Sequence, residues 1–218
     1  MRYAESPSSC YTYDHCPRKY KFRYIEKLPD PTGPAAELGK SFEDAVYPSW
    51  NDWSIPSHKD PHVEKMLYAL FTSTEVLSLP AAAGFQEKID VACGSSRLLG
   101  YMDMRHVDNS ITDIKTSKKQ WDEKKLLGTE QHIAYPYGAV KMGLIQPVFP
   151  IVFRYVITTT GSDPVVQVIE LKITETDFTE YEKRFSQRIK KIQLDIFPTK
   201  RSYECSWCPY KKICPAWN

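Results

Sequence analysis

Two carboxylates and an ammonium fall close together in the middle of this 218-residue sequence. Asp103 ends the run Gly100-Tyr101-Met102-Asp103, and Asp113 and Lys115 lie in Thr112-Asp113-Ile114-Lys115-Thr116. Between them Asp108-Asn109-Ser110 has turn composition, so the runs predict the two arms of a β-hairpin. Residues two apart on a strand share a face. Asp113 and Lys115 should therefore project together, with Asp103 reaching them from the neighbouring arm. Charges gathered on one sheet face need partners, and a hard divalent cation is one such partner. Two Asp oxygens, the backbone carbonyl of Ile114 and waters suit Mg²⁺ or Mn²⁺. The lysine can then orient a water beside the metal or stabilise charge on a phosphate. Taken alone, the three residues also fit a solvated hairpin face.

The flanking elements must hold this hairpin. Residues 85–91 alternate in polarity and predict a strand that pairs with 97–107, giving three antiparallel strands together with 111–116. Glu87 on the first strand offers a further carboxylate, or an ordinary exposed strand position. Residues 35–47 predict a helix on which Glu43 lies four residues after Gly39, on one face. A glycine there would let another backbone or a substrate come close. Residues 62–77 read as a second helix and 48–61 as a loop, with Trp50 and Trp53 as core anchors. Residues 120–142 read as a helix interrupted near Gly128 and Pro136, with Gln131 and Tyr135 on one face, a donor and acceptor pair for a phosphate or base edge. Strands over 149–159 and 164–173 follow. The helix over 175–196 carries Phe178, Tyr181, Phe185, Ile189 and Ile192 on its apolar side. Near the start, a short helix through Tyr11–His15 ends at Pro17. Beyond it Tyr20, Phe22 and Tyr24 alternate with basic residues, a pattern that suits either base stacking or a helix packing its aromatics inward.

The tail holds Cys205, Cys208 and Cys214 in C-x₂-C-x₅-C spacing. A tetrahedral site or a four-iron cluster needs a fourth thiolate. Cys16 is the first candidate, then Cys10, then Cys93. Such a set fits zinc or iron–sulfur, and spacing does not choose between them. A metal joining Cys16 to the tail would clip residues 1–30 to 197–218 and act in folding.

Composition sets the frame. The chain is 42% hydrophobic and 26% charged with a formal net charge of +2, values of a globular domain whose overall field does not announce nucleic acid. Basic residues nonetheless cluster at 18–27, 115–125 and 184–212. No run is long enough for a membrane span and the start lacks an apolar signal core. These features predict a cytoplasmic protein in which six cysteines bind metal or stay reduced.

In order along the chain stand Cys16-Pro17-Arg18-Lys19-Tyr20, Gly39-Lys40-Ser41-Phe42-Glu43, Gly100-Tyr101-Met102-Asp103, Asp113-Ile114-Lys115-Thr116, Gln131 with Tyr135, and the cysteine tail. This series resembles the RecB-like branch of the PD-(D/E)XK nucleases, in particular the iron–sulfur nucleases that include the CRISPR-associated RecB-like exonucleases. The resemblance implies one α/β domain over 1–218, a mixed central sheet flanked by helices, with an iron–sulfur-stapled helical flank made from both termini. It implies a [4Fe–4S] cluster on Cys16, Cys205, Cys208 and Cys214. It also implies Asp103, Asp113 and Ile114 around Mg²⁺ or Mn²⁺, Lys115 as the catalytic lysine, and Gln131 and Tyr135 beside them. The expected activity is hydrolysis of DNA, as an exonuclease on single strands or ends, in repair, recombination, phage replication or CRISPR adaptation, with protein partners from such complexes. The alternative is a DNA-end-binding or partner-binding module that keeps the fold with weakened catalysis. One position departs from the pattern: the family usually has a metal-binding histidine where this chain has Glu43, a harder ligand that adds negative charge.

Overall fold

The computed structural model describes residues 4–31 and 33–217, apart from the side chain of Leu127. Strand β1 (Ala4–Glu5) leads into helix α1 (Pro7–His15), where Ser6 caps the first turn and Pro7 opens it. The short helix α2 (Pro17–Tyr20) runs into a π-helical turn at Lys21–Ile25. Helices α3 (Pro34–Ser49), α4 (Pro61–Phe71) and α5 (Thr74–Leu77) precede a long hairpin of β2 (Ala82–Cys93) and β3 (Ser96–His106). Strand β4 (Ile111–Ser117), helices α6 (Glu123–Leu127) and α7 (Gln131–Lys141), strands β5 (Ile151–Thr159) and β6 (Val166–Ile173), and helix α8 (Glu175–Gln193) follow. The cysteine tail forms two 3₁₀ turns, Tyr203–Trp207 and Lys211–Ile213.

The strands join in one mixed sheet in the order β1-β3-β4-β5-β6, with β2 on the other edge of β3. Pairs β2–β3, β3–β4 and β5–β6 are antiparallel, whereas β1–β3 and β4–β5 are parallel. The parallel β4–β5 pair requires a crossover, which α6 and α7 supply. Helices cover both faces, giving the expected α/β core. On one face α7 and α8 pack Tyr137, Tyr181, Phe185 and Ile189 against Ile89, Phe153, Tyr155 and Ile157. On the other, α3 and α4 pack Phe42, Val46, Met66 and Leu70 against Met104, Ile114 and Val156. Each such side chain contributes about 1.5–3 kcal/mol by leaving water. A third cluster of Tyr13, Tyr20, Ile192 and Phe197 ties the first residues to the end of α8.

Several boundaries differ from the sequence reading. Helix α3 continues to Ser49, past the expected loop start, and Trp50 is fully buried under it. The helix expected over 62–77 breaks at Thr72–Ser73 into α4 and α5. The segment 120–142 does break near Gly128, but Pro136 sits inside α7 without ending it. Tyr20 and Phe22 pack inward, while Tyr24 stays half-exposed.

Candidate active site

Strands β3 and β4 pair only at Met104–Thr112 and Arg105–Ile111, beside the turn. There His106 locks them: its Nε2 meets Thr112 Oγ1 at 2.8 Å and its Nδ1 meets the Pro80 carbonyl at 2.7 Å. Further along, β3 and β4 part. The carboxylate of Asp103 fills the opening, its Oδ2 accepting the buried Ile114 N–H at 2.9 Å, so a side chain takes the place of the next ladder rung. The N–H and C=O of one strand residue face the same edge, which turns the Ile114 carbonyl toward this opening too.

The other oxygen of Asp103 accepts from Gln86 Nε2 at 3.1 Å, and the same Nε2 donates to the Tyr47 hydroxyl at 2.7 Å. Tyr47 in turn hydrogen-bonds Asp103. Gln86 lies between the pairs Phe85–Met104 and Glu87–Met102, opposite Asp103, with φ at 49°. A non-glycine residue in that region is strained by about 1–3 kcal/mol, here in the middle of a strand and one hydrogen bond from the site.

Asp113 is fully buried. Its Oδ2 meets the Lys115 ammonium, whereas its Oδ1 has no hydrogen-bond partner among the described residues. Ile114 between them points into the α3–α4 core. Burial raises the Asp113 and Asp103 carboxyls above their ordinary range, against the opposing charge of Lys115. Burial alone would depress Lys115, but Asp113 and Asp103 outweigh it and raise the ammonium. Two carboxylates thus share one lysine, and each holds its proton to a higher pH than an exposed carboxyl would.

Two helices bring in the remaining groups. Gly39 lets α3 pass close over β4, since a Cβ there would lie 3.0 Å from Thr116 Oγ1. One turn later Glu43 is half-buried, and burial, then the charge of Asp103, push its carboxyl up to about 7. On the other side of the sheet, Gln131 Nε2 donates to the Tyr135 hydroxyl at 3.0 Å. The Tyr135 ring lies over Gly100, where a Cβ would come within 3.0 Å of Cε1. Burial, then the charge of Asp113, raise its phenol. Asp103, Asp113 and Lys115 meet at this opening, Glu43 on α3 and Tyr135 on α7 lie near enough for the charges there to act on them, and Gln131 is bonded to Tyr135. Glu87 does not join them, because two 2.8 Å hydrogen bonds from Arg105 hold its carboxylate. Tyr47 and Gln86 escaped the sequence reading. Tyr47 stands one helical turn after Glu43, a spacing that could have flagged it, whereas nothing local announces the backbone of Gln86.

Lys115 and Gln131 open onto a cleft of about 410 Å³ whose far wall carries Lys19, Arg23 and Tyr24, with Trp121 and Lys125 beside them. Two of the three basic clusters thus meet across one groove. Of the third, Arg188 is buried in ion pairs with Asp14 and Glu130. Cys16, Cys205, Cys208 and Cys214 line a second, small cavity with Arg18, Lys19 and Lys211. Cys10 and Cys93, the alternative ligands, are buried in the core instead, and burial pushes both thiols up to about 12. Among the described residues, no set of three or more His, Cys, Asp or Glu side chains is placed to hold a metal ion as it stands. At the carboxylate site the Lys115 ammonium occupies the flank of Asp113 that a cation would take. The orphaned Asp113 Oδ1 beside the Asp103 carboxyl still fits a hard cation in donor chemistry. At the cysteine cavity the donor set, four thiols, fits a thiolate-ligated metal in kind. No helix among the described residues is long and apolar enough to cross a membrane.

Two solved structures share the fold. One, from Eubacterium rectale and named provisionally as an exonuclease, aligns with a TM-score of 0.63 at 14% identity, covering 94% of this chain and 86% of its own. The other, SSO0001, aligns with a TM-score of 0.53 at 14% identity, covering 100% of this chain and 89% of its own. No curated protein sequence matches the chain. The profile of the PD-(D/E)XK nuclease superfamily matches residues 63–215, a stretch that runs from α4 through the split hairpin to the cysteine tail. The chain belongs to the PD-(D/E)XK nuclease superfamily.

Proposed function

We propose that the protein is a divalent-metal-dependent deoxyribonuclease acting as an exonuclease on single-stranded DNA or free DNA ends. The observation that carries this reading is Asp113: a fully buried carboxylate with one partner, Lys115, which itself opens onto a basic and aromatic cleft. Asp103, Asp113, the Ile114 carbonyl and Glu43 would hold Mg²⁺ or Mn²⁺. When bound, such an ion supplies a Lewis acid for the phosphate and lowers the cost of forming hydroxide. Lys115, released from part of its pairing with Asp113, orients the attacking water and stabilises charge on the phosphate. The water oxygen bonds to phosphorus, the bond to the sugar oxygen breaks, and that oxygen takes up a proton. Gln131 and Tyr135 position the strand. Glu43, in place of an imidazole, adds a third acid to the site and favours a hard ion over a softer one.

The four cysteines that line one cavity support a structural [4Fe–4S] cluster on Cys16, Cys205, Cys208 and Cys214, joining the two ends of the chain. Arg18, Lys19 and Lys211 around it suit an anionic thiolate cluster. Brown colour, iron and sulfide in protein purified without air would bear this out, whereas colourless protein with zinc would replace the cluster by a zinc clip. The biological setting we infer is DNA repair, recombination, phage replication or CRISPR adaptation, in complex with other proteins of those processes.

The decisive experiment follows end-labelled single- and double-stranded DNA in Mg²⁺ and in Mn²⁺. Asp113→Asn and Lys115→Ala should each slow cutting by at least about a hundredfold. Equal cutting by parent and variants sinks the site assignment. Metal-independent binding with no cutting by the parent leaves an end-binding module in its place.

A further inference from the structure

A second groove of about 410 Å³ continues from the first. It is walled by α6 on one side and by the segment before Cys205 on the other. The two share Tyr11, Lys125 and Gly128, so they adjoin. Tyr11 stands at the junction, stacked on His15 with ring centroids 3.8 Å apart and against Gly128. Beyond it lie Lys124, Lys200 and Tyr203. Tyr203 is 73% exposed, and its ring meets only the edge of Trp207, itself 66% exposed.

Exposed rings interleaved with lysines along a narrow track are what an unpaired strand needs, since each base offers a π face and each phosphate a negative charge. Two acids also line the groove. Asp122 is engaged in capping α6 through the Lys125 N–H, at 2.8 Å. Glu204 lies beside Tyr11, where its charge, after burial, raises the phenol.

We propose that this second groove carries the part of the single DNA strand beyond the nucleotides at Lys115, with Tyr203 as a stacking platform and Lys124 as a phosphate contact. The cysteine-bearing tail is then a wall of the nucleic-acid site as well as a clip between the ends of the chain. The proposal rests on the nuclease reading of the first cleft and extends it.

The test is binding of fluorescein-labelled oligothymidylates, from about four to about sixteen nucleotides, in chelator so that nothing is cut. Tyr203→Ala and Lys124→Ala alter exposed side chains, so both variants should fold. Each should bind long oligonucleotides about tenfold more weakly, the loss of one stacking or phosphate contact, and bind the shortest ones as the parent does. Unchanged affinity for long strands, or equal loss at every length, overturns the second groove while leaving the first. A parent that binds no oligonucleotide of any length overturns the second groove, and the end-labelled cutting assay in Mg²⁺ and Mn²⁺ decides the nuclease reading by itself.

Discussion

Gln86 shows how much of this site depends on a residue that does no chemistry. Its amide holds both Asp103 and Tyr47, and its left-handed backbone is the cost of pointing the amide there. Gln86→Ala should leave the fold intact and slow cutting about ten- to a hundredfold, the worth of one hydrogen bond to a charged group. A melting curve and a rate on the same sample check both halves. His132 offers a separate measurement, of stability. Half-buried against Tyr155, it is pushed down to about 4 by burial. In the unfolded chain it takes up its proton near about 6.5. The stabilisation it brings as a neutral ring is therefore full above that value and is lost as pH falls toward 4, by up to about 3 kcal/mol. His132→Gln, which keeps an acceptor for Tyr155, should flatten the acid side of a plot of melting temperature against pH relative to the parent. At this scale the acids and the lysine were legible because a strand's two-residue period puts Asp113 and Lys115 together whatever the fold. Gln86 was not, because its role comes from a backbone conformation that no local pattern encodes.

At the scale of elements, the site is made by two close approaches, α3 over β4 at Gly39 and α7 over β3 at Gly100. Gly100→Ala should push the Tyr135 ring aside and so move its hydroxyl from Gln131. Overpacking of this kind costs about 1–3 kcal/mol, and cutting should fall more than stability predicts. Circular dichroism melts beside rate measurements separate the two effects. The helix of 175–196 and its five apolar residues were legible because a long amphipathic period has one solution, and all five are buried in α8. The loop expected over 48–61 started too early, since Pro48 closes α3 from within its last turn while tertiary packing keeps Trp50 beneath it. The split between β3 and β4 left no trace in composition: both arms read as ordinary strands, and only the ladder shows where they stop pairing.

For the whole molecule, the cysteine cavity joins the first thirty residues to the last fifteen or so, and the same tail walls the second groove opposite Tyr11 and His15. On the proposed cluster, Cys208→Ser should lower the melting temperature by several degrees and remove the iron, because a closure over nearly the full chain would be lost. It should also weaken strand binding without touching Asp103 or Asp113. Iron retained at parental stoichiometry would count against Cys208 as a ligand. The mixed α/β architecture was legible from alternating elements, whereas the meeting of the termini depended on four residues separated by most of the sequence.

The closing of those walls has a consequence for synthesis. Chains emerge from the ribosome N-terminus first and fold by units as they appear. The hairpin bearing Asp103 and Asp113, which also gives β1 its partner strand, is complete before α8 has left the exit tunnel, but Cys16 meets the tail cysteines only when Cys205–Cys214 arrives. The carboxylates are therefore in place before the tail supplies the far wall of the proposed second groove.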